Sequence, residues 1–121
     1  MNLFDASALL CFLQAEPGAD VVEHELLAGG ACSAANWSEV AQKVLAHQHD
    51  WGLARGLLLS YGLGVEPVLL ADAERAATLW RRGAGLSLGD RLCMATAERL
   101  GAVVWTADAD WGSTDAIRQV R

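Results

Sequence analysis

Four acidic residues, Asp5, Glu39, Asp90 and Asp108, stand at the positions in this chain where chemistry is easiest to build. Asp5 follows the short segment Asn2-Leu3-Phe4, and Asp108 follows the uncharged run from Ala102 to Thr106. β-Branched and aromatic residues dominate that run, as in a strand covered on both faces of a parallel sheet. Asp90 opens a helical segment that ends at Leu100, and Glu39 lies one turn into a helix that Asn36 opens. Strand ends and helix starts share one edge of an open α/β sheet, the edge where ligands bind. Taken singly, each acid also reads as a helix cap. Asn36-Trp37-Ser38-Glu39 and Ser87-Leu88-Gly89-Asp90 both have the spacing of a capping box, and Asp5 and Asp108 can cap whatever follows them.

Taken together, the acids ask for something more. Two carboxylates ~5 Å apart repel by about 3 kcal/mol at an effective dielectric of 20. Several such pairs weigh heavily against a net stability of ~5–15 kcal/mol. Converging acids therefore require a cation, or a proton retained on some of them. All-oxygen ligation suits Mg2+ or Mn2+. Such ions activate water and stabilise charge on phosphate, so the chemistry indicated is phosphodiester hydrolysis.

The elements that must carry these acids follow from the pattern. A strand leads into Asp5 and changes to helix in Ala-Ser-Ala-Leu-Leu-Cys-Phe-Leu, which Pro17-Gly18 breaks. A second helix is expected from Ala19 to Ala28, ended by Gly29-Gly30, and Ala31 to Ala35 reads as a short buried strand. The helix from Asn36 has Trp37, Val40, Val44 and Leu45 as its apolar side, and another follows from Asp50 or Trp51 to Tyr61. Val65 to Leu69 is a strand interrupted by Pro67, which places it near a sheet edge. Asp72 to Arg82 is a helix with Ala73, Ala76, Ala77 and Trp80 inward. In the helix ending at Leu100, Leu92, Cys93, Thr96 and Leu100 form the dry face, Arg91 and Glu98 the wet one, and Gly101 the left-handed stop. Ile117 to Val120 is a last edge strand. The alternation predicts a parallel sheet between helix layers.

Composition sets the outer limits. With 121 residues, 53% hydrophobic and 20% charged, the chain is one globular domain rather than a disordered segment. A net charge of −6 excludes a broad basic face for nucleic acid but not an acidic metal site that acts on it. Cys11, Cys32 and Cys93 lack any C-x-x-C or zinc spacing and read as reduced core thiols. No apolar run is long enough to span a membrane, and no basic segment precedes the first apolar stretch, so the expected location is cytoplasmic.

Four motifs in order, Asp-Ala-Ser-Ala-Leu-Leu at Asp5, Asn-Trp-Ser-Glu-Val at Asn36, Ser-Leu-Gly-Asp-Arg-Leu-Cys at Ser87 and Thr-Ala-Asp-Ala-Asp-Trp at Thr106, give the chain a resemblance to PIN-domain ribonucleases. It most resembles the VapC toxins of bacterial toxin–antitoxin pairs. The resemblance extends over nearly all of residues 1–121. It implies a single three-layer α/β/α domain with a five-stranded parallel sheet. It also implies Mg2+-dependent RNA cleavage, a homodimer, and neutralisation by a cognate antitoxin; the donor chemistry above also admits Mn2+. Residue by residue, it makes Asp5, Glu39, Asp90 and Asp108 the metal-binding catalytic cluster, with Ser7, Asn36 and Thr106 as polar supports. Where many relatives carry Arg or Lys after the last motif acid, this chain has Ala109 and then Asp110, which either shares in metal binding or solvates the turn.

The remaining signals are weaker. Arg81, Arg82 and Arg91 are the best candidates for phosphate contact, with a solvated helix end as the alternative for the first two. Trp37, Trp51 and Trp80 read as core or dimer interface, and Trp111 sits beside the expected cleft. His47 and His49 read as surface residues. Glu23-His24-Glu25 begins like a zinc-protease helix, but Ala28 stands where the second histidine belongs. A phospho-receiver domain needs a lysine near the last strand, and the only lysine, Lys43, lies in an early helix. The stronger rival is an inactive PIN-like module that only binds a partner, which predicts a broken acidic set.

Overall fold

The computed structural model describes all 121 residues. Five parallel strands, β1 (Asn2–Phe4), β2 (Ala31–Ser33), β3 (Gly64–Glu66), β4 (Val103–Thr106) and β5 (Ile117–Gln119), form one sheet in the order β3-β2-β1-β4-β5. Six helices connect them: α1 (Ala6–Leu13), α2 (Ala19–Ala28), α3 (Ala34–Ala46), α4 (Trp51–Ser60), α5 (Leu70–Thr78) and α6 (Leu88–Leu100). The expected three-layer α/β architecture is the one observed.

Strand order determines where a site can form. The chain winds outward from β1 through β2 to β3, then returns to place β4 on the other side of β1. The carboxyl ends of β1 and β4 therefore flank the topological switch point of the sheet. Register makes the junction close: Phe4 pairs with Trp105, and the Asp5 N–H donates to the Trp105 carbonyl at 3.1 Å. Asp5 and Asp108 thus leave neighbouring strands at the same edge.

Alternation along the strands divides the core. Phe4 and Cys32 face a cluster built with Leu9, Val22, Val40 and Leu58 from α1, α2, α3 and α4. Leu3, Ala31 and Val104 face the opposite way, onto Cys93 and Ala97 of α6 and onto Trp111. α3 also touches α6, which brings the start of α6 beside Glu39.

The expected elements are present with shifted bounds. Ser33, not Asn36, is the N-cap of α3, because its hydroxyl accepts from the Asn36 N–H at 3.1 Å; β2 is correspondingly shorter than Ala31 to Ala35. Pro67 excludes the residues beyond Glu66 from β3, which is an edge strand as expected. α5 starts at Leu70 rather than Asp72 and stops at Thr78, short of Arg82. Consequently Trp80 is 53% exposed, and Ala73 and Ala77 face solvent while Ala76 is buried. Leu45 is likewise exposed, whereas Trp37 packs edge-on against Trp51 at 5.1 Å between ring centres. All three cysteines are free and buried, and Gly101 takes the left-handed geometry that ends α6.

α5 is fastened to α6 by charge. The buried Asp72 accepts from the Leu69 N–H at 3.0 Å and from Arg99 Nε at 2.9 Å. Arg99 is the main reason its carboxyl lies below the ordinary range. Asp72→Ala removes the cap and leaves the guanidinium unpaired, so urea denaturation at pH 7 is expected to show a loss of about 2–3 kcal/mol.

Candidate active site

Asp5 enters the site from β1 and is only 3% exposed. Its Oδ1 accepts from the Ala8 N–H at 2.8 Å, capping α1, and from the Ser7 hydroxyl at 2.7 Å. Its Oδ2 accepts from the Thr106 hydroxyl of β4. Ser7 and Thr106 are anchored in turn: the Ser7 hydroxyl accepts from the Ala107 N–H at 2.9 Å, and that of Thr106 from the Asp108 N–H at 3.0 Å. Burial nevertheless pushes the Asp5 carboxyl from 3.8 up to about 6, against the lowering effect of hydrogen bonds from Thr106, the Ala8 N–H and Ser7, with the like charge of Asp90 adding a little.

The other three acids arrive from different directions. Glu39 lies one turn into α3, where Asn36 Nδ2 donates to its Oε1 at 2.7 Å and Ser33 in turn donates to Asn36 Oδ1 at 3.0 Å. The capping reading of Asn36 to Glu39 is therefore replaced by a side-chain relay from Ser33. Asp90 is the third residue of α6 and completes a capping box with Ser87, its Oδ2 accepting from the Ser87 N–H at 2.9 Å. Asp108 caps a 3-10 turn, Ala109–Trp111, through Oδ1, which accepts from the Asp110 N–H at 2.9 Å. All four acids line one cleft of about 200 Å3, together with Ser7 and Lys43.

Each of Glu39, Asp90 and Asp108 commits one oxygen to the backbone or a support and leaves the other without a partner. Caps and cleft are thus compatible uses of the same side chains. Hard oxygen donors of this kind match the chemistry of Mg2+ or Mn2+. As placed, no three His, Cys, Asp or Glu side chains close on one point at ligand distance. The core beneath α6 offers no thiolate, since burial first and the nearby acids second raise the Cys93 thiol well above its ordinary range.

Gly89 is the glycine this arrangement depends on. A Cβ there would fall 2.7 Å from the Glu39 carboxyl carbon, so only a residue without one lets Glu39 lie against the start of α6. That helix end also favours a carboxylate electrostatically.

The other sequence candidates lie elsewhere. Arg91 is half-buried rather than on the wet face, and its Nη1 donates to the Ala76 carbonyl of α5 at 3.1 Å. Helix periodicity locates the sheet but not the neighbouring helix, which is why Arg91 was read outward. Arg81 donates to the carbonyls of Thr78 and Trp80, and Arg82 lies over the Trp80 ring. Asp110 is exposed in the turn and does not line the cleft. Trp111 is core. The residues that sequence reasoning missed are Ser33 and Lys43. Lys43 lies one helical turn beyond Glu39, a spacing that would have shown both side chains on one face of α3.

Comparison with known proteins agrees with the geometry. A family model described as the PIN domain matches residues 3–117, and the chain belongs to that family. PIN domains are generally nucleases. No match is found among curated proteins. A solved structure described as a toxin-antitoxin complex from Klebsiella pneumoniae has a TM-score of 0.77 at 21% identity, covering 100% of this chain and 98% of that one. At that identity the likeness is one of fold.

Two outcomes follow for protein purified free of divalent metal and then assayed. Gly89→Ala should keep or slightly raise the melting temperature, since alanine is the better helix residue by roughly 0.5–1 kcal/mol. It should also weaken Mn2+ binding, measured by calorimetry, by roughly 10- to 100-fold. Asp5 gives a pH signature. Its pKa is higher folded than unfolded, so its contribution is fully present below 3.8 and is lost as pH rises through about 6. Asp5→Asn should therefore gain on the wild type by roughly 3 kcal/mol between about pH 4 and about pH 7 in denaturation experiments.

Proposed function

We propose that this PIN domain is a Mg2+-dependent endoribonuclease of the VapC type, the toxin of a toxin–antitoxin pair. The observation that carries the reading is the single cleft at the switch point of the sheet, lined by Asp5, Glu39, Asp90 and Asp108. An intact acidic set favours an enzyme over an inactive partner-binding module. Ser7, Thr106 and Asn36 hold the acids in place, and their hydrogen bonds are of the kind such a role requires.

Asp5, Glu39, Asp90 and Asp108 would hold the metal ion, Mg2+ or in its place Mn2+. When bound, the ion supplies activation of water and stabilisation of charge on the phosphate. The protein contributes preorganisation. Asp5 is fixed by three donors, and burial raises its carboxyl to about 6, closer to neutrality than an ordinary carboxylate. Glu39, Asp90 and Asp108 each offer one uncommitted oxygen from a backbone-anchored side chain.

The partners follow from the same surface. The structural neighbour is a toxin-antitoxin complex, which supports an antitoxin for this chain. An apolar groove of about 530 Å3 between α1, α3 and α4, lined by Leu10, Leu13, Leu53 and Leu57, adjoins the cleft and offers such a protein a contact surface. A homodimer and a cytoplasmic location complete the reading. No helix is long and apolar enough to cross a membrane.

The test is a transcript-wide map of new RNA 5′ ends after induction of the wild type and of Asp90→Asn in a bacterial host. Asparagine can still accept the Ser87 N–H, so the variant should fold. A few sharp cuts present only with the wild type are expected. Maps identical to those of uninduced cells would instead favour the partner-binding module.

A further inference from the structure

Lys43 is the only lysine in the chain, and its ammonium makes no ion pair or hydrogen bond. A Glu–Lys pair four residues apart on a helix ordinarily associates. Here Glu39 is drawn away, with Asn36 holding its Oε1 and its carboxylate lying against Gly89 of α6. Lys43 is left free beside four acids, lining their cleft, an adjoining groove of about 330 Å3, and, with His47, the edge of the groove between α1, α3 and α4. Ser7 and Leu10 line both spaces as well, so the two depressions are continuous.

The character of the surface changes along that line. The cleft is acidic apart from Lys43, whereas the groove holds Lys43, His47 and Arg121 against a single acid, Glu16. His47 lies one further turn from Lys43 at the end of α3, and Arg121 is held in position by the Pro17 carbonyl, which accepts from its Nη1 at 3.1 Å. An extended polyanion with one phosphate in the acidic cleft must place its neighbours outside it. There protein cations can take the place of the solution counterions around them. An acidic protein with no broad basic face depends on few such contacts, so each should count.

We propose that Lys43, His47 and Arg121 form a short track that binds the backbone phosphates of single-stranded RNA adjacent to the one in the cleft. The assignment rests on the ribonuclease reading above. Lys43 and Arg121 supply charge, and the His47 imidazole supplies a hydrogen-bond donor. The track fixes on which side of the cleft the RNA leaves the protein.

The experiment measures binding of a short fluorescein-labelled single-stranded RNA of mixed sequence by anisotropy, with Ca2+ as the divalent cation, across a salt series. Lys43→Ala and Arg121→Ala are each expected to lower affinity about fivefold at ~0.1 M salt and to make the salt slope shallower by about 0.7. Arg75→Ala, which removes a cation already paired with Glu98 at 3.0 Å, should leave both unchanged. RNA binding by both track variants equal to that of the wild type would overturn the track while the ribonuclease reading stood. Equal RNA binding combined with lost binding of poly-glutamate would overturn it too, assigning the cations to an acidic protein partner. A wild type that binds no RNA at any salt would contradict the ribonuclease reading itself, and the track with it.

Discussion

A carboxyl group buried at the junction of β1 and β4 is the constraint from which the site is built. Asp5 is too buried for its charge to be stable alone, and the protein answers with three donors on its two oxygens. Those donors reach across the sheet: Ser7 belongs to α1 and Thr106 to β4, and each is bonded again to the backbone that leads to Asp108. Burial still prevails, and the carboxyl stays at about 6. The group sits within reach of protonation near neutrality, which suits an acid that shares a cleft with like-charged neighbours.

The remaining acids show how a small domain can afford such a cluster. Glu39, Asp90 and Asp108 each hold local structure with one oxygen and face the cleft with the other uncommitted. Reading an acid as a cap or as a ligand is therefore a false choice in this fold. Helix N-termini gather at the carboxyl edge of the sheet, so residues suited to capping and residues suited to cation binding are drawn to the same place. Gly89 extends the logic to backbone, since leaving out one Cβ lets α3 deliver Glu39 to the start of α6.

Much of this was legible in the chain because its punctuation is strong. Pro17-Gly18 and Gly29-Gly30 bracket α2 so tightly that its bounds, Ala19–Ala28, follow directly. The uncharged run before Asp108 marks β4, and the helix before it carries its own capping box and glycine stop. Where sequence reading failed, the causes were weak local preference, shifted helix bounds and lateral packing. In Ala31 to Asn36 small residues have little preference of their own, and the cap fell to Ser33 through its bond to Asn36. Arg91 looked solvated because the helical period shows the sheet-facing side of α6 and not α5 alongside it. Trp80 looked buried because α5 stops earlier than its alanines suggested. Lys43 lies far from β4 along the chain, and only the packing of α3 carries it to the same cleft.

The central claim is that the four acids together bind divalent metal. Substoichiometric Mn2+ added to 15N-labelled protein tests it directly, because the paramagnetic ion broadens amide signals according to their distance from it. The account predicts early and selective loss of the signals around Asp5, Glu39, Asp90 and Asp108, drawn from four separate stretches of the chain. Broadening centred instead on Asp110 or Glu16 and Asp20, or spread evenly over the acidic surface, would contradict it.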